Sequence, residues 1–281
     1  MKKAHEKIFS FSLLAGIVFT VLIWVFALSL IEADRQNSPY AVFLDVGQGD
    51  SALISLPQSI QILIDTGESA SVLSKIEKNM PRFDRRIEYL VLTHADSDHI
   101  GAADDILQSF EVGEVIVGPS KSDTQVYKKI EALISENKIQ KREVFSGDVI
   151  CPIESACMDF LSPDRGGSYG STNEQSLVFR FNFLDKKIMF TGDAEDEIQA
   201  KISNKYDSER LKSEVLKVAH HGSKAAIDEG FLGEVGPSQA IISVGANSYG
   251  HPSANIIEVL KNNTIEVLRT DQRGDIKMEL W

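Results

Sequence analysis

Short apolar segments alternate with segments of helical spacing along most of the chain. Runs rich in valine, isoleucine and phenylalanine, bounded by charged residues, glycine or proline, predict strands. Segments with apolar residues three and four apart predict amphipathic helices. The predicted strands are Tyr40–Val46, Ser51–Leu56, Ile60–Asp65, Ile87–Leu92, Glu114–Gly118, Glu143–Phe145, Met158–Leu161, Ser176–Phe183, Lys187–Thr191, Val215–Ala219, Ala240–Val244, Ile265–Thr270 and Ile276–Leu280. The predicted helices are Ser71–Lys78, a segment through Ile106 and Leu107, Thr124–Asn137, Glu195–Ile202 and Ala254–Asn262. This mixture of α and β elements predicts one domain, residues 40–281, with sheets covered by helices.

The N-terminal part has a different pattern. Ile8 to Ile31 is a stretch of 24 residues without a charged side chain, which is long enough to span a bilayer. A cleavable signal peptide is the alternative, but its apolar core is only about 7–15 residues. We therefore predict a single transmembrane anchor over residues 8–31, followed by a linker over residues 32–39. Because lysines precede the span and acidic residues follow it, residues 1–7 are expected in the cytoplasm and the domain outside it.

Charge and cysteine content restrict the possible partners. Residues 32–281 contain 26 basic and 40 acidic side chains, a formal charge of −14. This charge opposes non-specific binding to a nucleic-acid backbone, although it leaves room for a local basic groove. The two cysteines, Cys151 and Cys157, do not adjoin a histidine, which argues against a zinc knuckle. A disulfide across a turn and two buried free thiols both remain open.

Candidate chemistry is concentrated in Thr93–Gly101, where four side chains able to bind a metal fall within six positions: His94, Asp96, Asp98 and His99. The cluster follows a predicted buried strand and precedes a helix. Imidazole and carboxylate together suit zinc, manganese or iron better than calcium. The alternative is a solvated polar loop that happens to contain two histidines.

Three further strands end in the same way. Asp65, Asp193 and His220 each directly follow an apolar strand, as His94 does. Side chains at strand ends can converge at one rim of a sheet while the strands stay packed. Asp193 could alternatively cap the helix that follows it, and the other strand ends are what favour a site.

These motifs resemble the metallo-β-lactamase fold. The resemblance is carried by His94-Ala-Asp96-Ser-Asp98-His99-Ile-Gly101, Thr191-Gly192-Asp193 and His220-His221-Gly222-Ser223. More narrowly, three segments resemble the extracytoplasmic hydrolase domain of ComEC-type competence proteins. They are Leu44-Asp45-Val46-Gly47-Gln48-Gly49-Asp50-Ser51, Asn173-Glu174-Gln175-Ser176-Leu177-Val178 and Tyr249-Gly250-His251-Pro252. The likeness runs from about Tyr40 to the C-terminus.

The resemblance implies a four-layer αββα sandwich with one or two divalent metal ions, zinc or manganese, at one edge. The implied ligands are His94 and Asp96 for the first ion, Asp98 and His99 for the second, Asp193 as a bridge, and His220 to complete the second site, with His221 as the alternative for His220. Asp96 and Asn173 stand where the broad superfamily has histidines, so the first site is expected to have the poorer ligands.

Further roles follow from the same resemblance. Paired metals would lower the pKa of a water molecule and clamp phosphoryl oxygens. Asp98, His221 and His251 are the catalytic candidates, with His251 or His221 assisting the leaving oxygen; His251 could equally be an ordinary loop histidine. The residues expected to support the site or contact substrate are Asp45, Asp50, Asp65, Asn173 and Ser223.

The sequence thus predicts a membrane-anchored, extracytoplasmic, metal-dependent hydrolase. A phosphodiester is the expected substrate, with DNA first. The alternatives are hydrolysis of small or cell-envelope phosphoesters and a non-catalytic surface binding module of the same fold. Hydrolysis of β-lactams is the weakest reading, because the first metal site has lost histidines. DNA transport is not assigned to this chain alone, since the full competence protein also has a multi-helix membrane channel and one span is predicted here.

Overall fold

The computed structural model of this chain describes residues 16–26 and 38–280. The chain divides into two units, Met1–Ser38 and Pro39–Trp281. In the first unit, residues 16–26 are helical. Most of the predicted linker and parts of the predicted anchor, residues 8–15 and 27–31, lie outside the described residues. None of the helices in the described ranges has the length and apolar character needed to cross a bilayer.

The second unit contains two seven-stranded sheets. The strands in chain order are β1 Tyr40–Phe43, β2 Ala52–Leu56, β3 Ile60–Ile64, β4 Arg86–Leu92, β5 Glu111–Val117, β6 Gln140–Glu143, β7 Val149–Ile153, β8 Ala156–Ser162, β9 Val178–Phe183, β10 Lys186–Phe190, β11 Val215–Lys217, β12 Gln239–Ile242, β13 Glu266–Arg269 and β14 Ile276–Glu279. The first sheet has the order β14-β1-β2-β3-β4-β5-β6 and the second has the order β13-β12-β11-β10-β9-β8-β7. Each sheet is antiparallel in one half and parallel in the other, from β3 to β6 and from β10 to β13.

Helices cover the outer face of each sheet. They are α1 Ser71–Asn79, α2 Ser97–Ile100, α3 Ala103–Ser109, α4 Gln125–Glu136, α5 Asp196–Lys205, α6 Ser208–Leu211, α7 Glu229–Val235, α8 Ala254–Asn262 and α9 Thr270–Arg273. One apolar cluster joins the first sheet to α1, α3 and α4, and another joins the second sheet to α5, α7 and α8. A third cluster lies between the sheets. The predicted four-layer αββα sandwich is therefore confirmed for the domain.

The core between the sheets follows from strand alternation. In β9 the side chains of Phe179, Phe181 and Phe183 all point into the inter-sheet cluster, whereas Arg180 and Asn182 alternate with them. Successive residues of a strand face opposite sides, so the sequence Val-Phe-Arg-Phe-Asn-Phe gives one wholly aromatic face. Full burial of each such ring contributes about 1.5–3 kcal/mol.

Two edge strands differ from the prediction. β6 spans Gln140–Glu143, whereas the sequence predicted a strand at Glu143–Phe145; its four residues are exposed and polar, so the apolar pattern is absent. β7 was not predicted, because it contains Pro152 and only one buried residue. Charge and proline are the usual protection of sheet edges. Cys151 and Cys157, on β7 and β8, form a disulfide.

Candidate active site

The candidate site lies at the edge where the parallel strands of both sheets end. Asp65 follows β3, His94 follows β4, Asp193 follows β10, and His220 and His221 follow β11. Ligands in such sheets bind outside the carboxyl ends of the strands. Asp65, His220 and His221 have φ values of 55°, 44° and 51°, a left-handed conformation that costs about 1–3 kcal/mol in a non-glycine residue. The surrounding packing therefore keeps the backbone of Asp65, His220 and His221 in this strained conformation.

His99 is held between two carboxylates. Its Nδ1 is 2.8 Å from Oδ2 of Asp65, and its Nε2 is 3.1 Å from Oδ1 of Asp193. Asp65 is itself fixed by Thr93, whose backbone N–H and hydroxyl donate to its two oxygens at 2.8 Å and 2.7 Å. A histidine that donates from Nδ1 to a carboxylate presents the lone pair of Nε2 to the other side. The geometry therefore turns the free nitrogen of His99 toward Asp193.

His221 reaches the same place from the second sheet. Its Nε2 is 3.0 Å from Oδ2 of Asp98, and its Nδ1 is 3.0 Å from the carbonyl oxygen of Ser243 after β12. One donor atom each from Asp98, His99, Asp193 and His221 lies within 4.8 Å of the others. The sequence assigned His220 to this group with His221 as the alternative, and the structure brings His221 there.

His94 and His220 flank the other oxygen of Asp193. The Nε2 atoms of His94 and His220 are 3.8 Å and 3.9 Å from Oδ2 of Asp193. Asp96 is the other carboxylate near His94, with Oδ2 at 3.7 Å from Nε2. Asp193 thus lies between the two groups of donors, the position that a bridging carboxylate requires. Nδ2 of Asn173 lies 3.5 Å from Nδ1 of His220.

A residue that the sequence analysis did not select anchors His220. Oε1 of Glu195 is 2.8 Å from Nδ1 of His220, and it also accepts a hydrogen bond from the hydroxyl of Ser223. Glu195 therefore orients His220 as Asp65 orients His99. Glu195 lies two residues after Asp193, at the start of α5. Acidic residues are common at the start of helices, so the sequence did not distinguish Glu195 from a residue with that ordinary role.

A buried ion pair lies beneath His221. Nζ of Lys217 is 2.6 Å from Oδ2 of Asp50, and the two side chains are 4% and 7% exposed. Oδ1 of Asp50 is 3.3 Å from Nδ1 of His221. The loop that carries Asp50 packs closely on the metal-cluster segment, since a Cβ on Gly49 would lie 2.5 Å from the carbonyl oxygen of Asp98. The charge within the apolar strand Val215–Lys217 was the available signal for this pair.

A cleft of about 460 Å³ opens in front of the histidines. His220, His221 and His251 line it, together with mainly polar side chains: Gln48, Glu68, Ser97, Asp98, Asn247, Ser248 and Tyr249. The ring of His251 is 5.4 Å from that of His220. No lysine or arginine belongs to this lining in the described part of the chain.

Comparison with known proteins gives the family. Residues 44–226 match the model of the metallo-beta-lactamase superfamily. The chain belongs to this superfamily. It is 32% identical over 280 residues to ComE operon protein 3 of Bacillus subtilis (strain 168), an alignment that covers 93% of this chain and 35% of that protein. It is 28% identical over 251 residues to competence protein ComA of Neisseria gonorrhoeae, covering 89% and 33%. The chain spans about a third of the length of these curated relatives.

Solved structures share the fold at low identity. The metallo-beta-lactamase fold protein YhfI from Bacillus subtilis superposes with a TM-score of 0.58 and 13% identity, covering 86% of this chain and 99% of that one. Zn²⁺-bound PqqB from Methylobacterium extorquens superposes with a TM-score of 0.58 and 12% identity, covering 86% and 100%. At this identity the likeness concerns the fold alone.

The residues of this metallo-beta-lactamase domain fit a divalent metal. Nε2 of His94, Nε2 of His99 and Oδ1 of Asp193 are buried and lack a hydrogen-bond partner among the described residues. An unsatisfied buried polar atom costs about 1–3 kcal/mol, and here three of them face one another. Imidazole nitrogens and carboxylates are ligands of zinc and other transition metals. The sandwich therefore holds a histidine and aspartate cluster suited to metal binding, while the identity of the metal stays a prediction.

Protonation in the cluster follows from the same crowding. Burial opposes protonation of His221, but the charge of Asp193 and hydrogen bonds with Asp50 and Asp98 outweigh it and raise its pKa to about 9. Burial likewise opposes ionisation of Asp193, yet the neighbouring charges of His99 and His221 hold its pKa well below the usual value. The cluster thus holds positive charge close to its carboxylates. A divalent cation would take the place of those protons.

The remaining predicted residues lie around the cluster in different roles. Ser223 is engaged with Glu195. Asp45 lies on the loop before Asp50, where its side chain accepts a hydrogen bond from the N–H of Gly47 at 3.3 Å. It is not among the grouped donors of the described residues. Metal ligation by each of the predicted residues stays a prediction.

Proposed function

We propose that this chain is a metal-dependent phosphodiesterase, with DNA as the first substrate to test. The observation that carries the proposal is the double set of buried and half-buried histidine and aspartate donors, shared by Asp193, at the floor of an open polar cleft. Two ions at such a site would lower the pKa of a water molecule and neutralise both the attacking and the leaving oxygen of a phosphodiester. One curated relative is named competence protein ComA, and a further one, from Haemophilus influenzae, is named recombination protein 2; both processes involve DNA.

The residues divide the remaining work. His94, Asp96 and His220 would hold one ion, and Asp98, His99 and His221 would hold the other, with Asp193 facing both. Asp65 and Glu195 each bind Nδ1 of a histidine, His99 and His220 respectively. These contacts keep the Nε2 atoms of the two rings turned toward the cluster.

His251 is the better candidate to stabilise the leaving oxygen by a hydrogen bond. Both ring nitrogens of His221 are engaged, with Asp98 and with Ser243, so this side chain is not available to substrate. His251 faces the cleft, and burial and the charges of His220 and His221 lower its pKa. A histidine with a lowered pKa is largely neutral near pH 7, and its N–H can donate a hydrogen bond to the leaving oxygen.

The decisive experiment compares single-stranded DNA, duplex DNA and bis-p-nitrophenyl phosphate. The full-length protein is assayed with manganese or zinc at low and moderate salt. Cleavage is expected for wild type and for His5→Ala, the matched histidine control outside the domain, and it should be lost in His99→Ala. A fully metallated protein that turns over none of these, nor choline or envelope phosphodiesters, would contradict the proposal and favour a binding module.

Small or envelope phosphodiesters are the second candidate. The formal charge of −14 over residues 32–281 and the lack of lysine and arginine in the described cleft lining both disfavour a long polyanion, whose binding normally uses cationic side chains. Turnover of the small ester alone, with neither form of DNA cleaved, would select this candidate.

We also propose that residues 8–31 anchor the protein in the membrane with the hydrolase domain outside the cytoplasm. The uncharged span and its basic flank support this topology, and the disulfide between Cys151 and Cys157 suits an oxidising compartment. Protease added to spheroplasts should digest residues 32–281. Protection of that part while the membrane is intact would contradict the topology.

A further inference from the structure

Tyr249 is an exposed aromatic side chain on the rim of the cleft. Within residues 38–280 two aromatic side chains are exposed, Phe83 and Tyr249, and Tyr249 is 75% exposed. Phe83 precedes β4, whereas the site lies beyond the other end of that strand. Tyr249 lines the cleft together with His251, whose ring is 5.7 Å away and inclined by 34°. An exposed aromatic ring beside a catalytic cleft offers a flat apolar surface to a ligand.

The loop that carries this ring is held by one amide. Oδ1 of Asn247 accepts hydrogen bonds from the backbone N–H groups of Tyr249, Gly250 and His251 at 3.1, 3.0 and 3.0 Å. Nδ2 of Asn247 donates to the carbonyl oxygens of Gly245 and His251 at 2.8 Å and 2.9 Å. The loop backbone is therefore organised before a ligand arrives, which reduces the entropy lost on binding.

The charge of the cleft lining limits how a nucleic acid could bind there. The described lining contains Glu68 and Asp98 but no lysine or arginine. No lysine or arginine of this lining can therefore form an ion pair with a phosphate group. Proteins that bind single strands combine a positively charged groove with aromatic rings on which bases stack, and of these two features the described lining contains the ring. In a duplex the faces of the bases are covered by their neighbours, so only an unpaired base can use Tyr249.

We propose that Tyr249 is a stacking platform for an unpaired nucleobase next to the phosphodiester in the site, which makes single-stranded nucleic acid the preferred substrate class. This inference rests on the proposed phosphodiesterase function. A quaternary ammonium group, as in a choline phosphodiester, also packs on aromatic faces, but recognition of that group uses cages of several aromatic rings. Tyr249 is the one phenol or phenyl ring in the described lining, which favours stacking.

The test measures binding rather than cleavage. Fluorescence anisotropy of the full-length protein in detergent, with calcium present, is recorded with labelled oligothymidylate, an abasic oligomer of equal length and a duplex. A gel run afterwards checks that the oligomers are intact. Tyr249→Ala should weaken oligothymidylate binding roughly 5- to 100-fold. Tyr249→Phe, which keeps the ring, should bind as wild type does.

The controls separate stacking from general damage. Phe83→Ala, which removes the other exposed aromatic ring within residues 38–280, should leave oligothymidylate binding unchanged. The abasic oligomer should bind wild type and Tyr249→Ala equally weakly. Equal oligothymidylate affinities for wild type and Tyr249→Ala would overturn the inference, as would a wild type that prefers the duplex or binds no oligomer. Loss of glycerophosphocholine binding alone in Tyr249→Ala would assign the ring to a quaternary ammonium instead.

The two proposals can fail separately. Wild type that binds oligothymidylate through Tyr249 but cleaves no phosphodiester would refute the enzymatic function and leave the stacking site. Cleavage that depends on His99, with oligothymidylate binding unaffected in Tyr249→Ala, would leave the phosphodiesterase and refute the stacking site.

Discussion

Removal of the positive charge of Lys217, which is buried in the domain, should lower the free energy of unfolding. Lys217→Met keeps most of the side-chain volume but leaves the carboxylate of Asp50 without its cation at 2.6 Å, in a place where the lysine and the aspartate are 4% and 7% exposed. The other oxygen of Asp50, Oδ1, lies 3.3 Å from Nδ1 of His221. Breaking a buried pair by removing one partner costs about 3–5 kcal/mol. We expect the free energy of unfolding at pH 7 to fall by about that amount.

The assay is urea unfolding followed by circular dichroism, at several pH values. In wild type, burial would raise the pKa of Asp50, but the charge of Lys217 and contacts with His221 outweigh it and lower the pKa. This carboxylate therefore stabilises the native state above its unfolded pKa, and that contribution disappears as pH falls through the lower native value. In Lys217→Met the largest influence that lowers the pKa of Asp50 is gone and the contacts with His221 oppose burial without it, so the pKa should rise and the deficit relative to wild type should shrink as pH falls from 7 toward 5.

A matched pair and a surface control make the prediction refutable. The double variant Lys217→Met/Asp50→Asn removes both charges and should recover a large part of the lost stability, which a double-mutant cycle measures. Lys141→Met breaks a half-exposed pair with Glu131 and should cost less than 1 kcal/mol. Equal, small effects of Lys217→Met and Lys141→Met, or a double variant less stable than either single one, would show that the buried pair does not carry this energy.

Three further predictions concern the metal ligands, the disulfide and the core. Asp193→Ala should lose most bound metal by elemental analysis whereas Asp96→Ala keeps the second ion; equal losses would contradict the shared carboxylate. Replacing Cys151 and Cys157 together by serine should lower stability by about 2 kcal/mol, as expected for so short a loop, in urea unfolding without reductant; an unchanged midpoint would show that the bridge contributes nothing. Phe179→Ala, at a fully buried ring, should cost about 3–5 kcal/mol in the same measurement, and a loss below 1 kcal/mol would contradict the inter-sheet packing.

The fold and the candidate cluster could be predicted to different depths from the sequence. Strands with a strong apolar pattern, such as the one before His94, determine where the polar residues leave the sheet, and this local signal places His94 and Asp193 at one edge. The choice between His220 and His221 could not be read in this way. Both adopt left-handed backbone conformations, so neither strand alternation nor helical spacing predicts which ring turns toward Asp98.

Contacts between distant segments of the chain could not be predicted from the sequence either. Lys217 and Glu195 contact residues of other loops. The charge of Lys217 within an apolar strand marks that residue as unusual, but a single sequence does not show which residue either side chain pairs with. The edge strand β6 and the strand β7 were misplaced or missed for a related reason: their stability comes from pairing with a neighbour, while their own side chains are polar or include proline.

The pairing of β1 with β14 has a consequence for how the domain must be assembled. Tyr40 lies opposite Glu279 in this ladder, so β14, one of the two edge strands of the first sheet, comes from the far end of the domain. Until residues 276–279 are available, the backbone N–H and C=O groups on one side of β1 would be unpaired, and its side chains, buried in the folded domain, would be exposed. Such an edge can pair with other chains. The first half of the domain is therefore not a separable module. Shortened versions that stop before Ile276 should aggregate rather than fold, and ribosome-bound nascent chains should gain protease resistance only after this last strand has emerged.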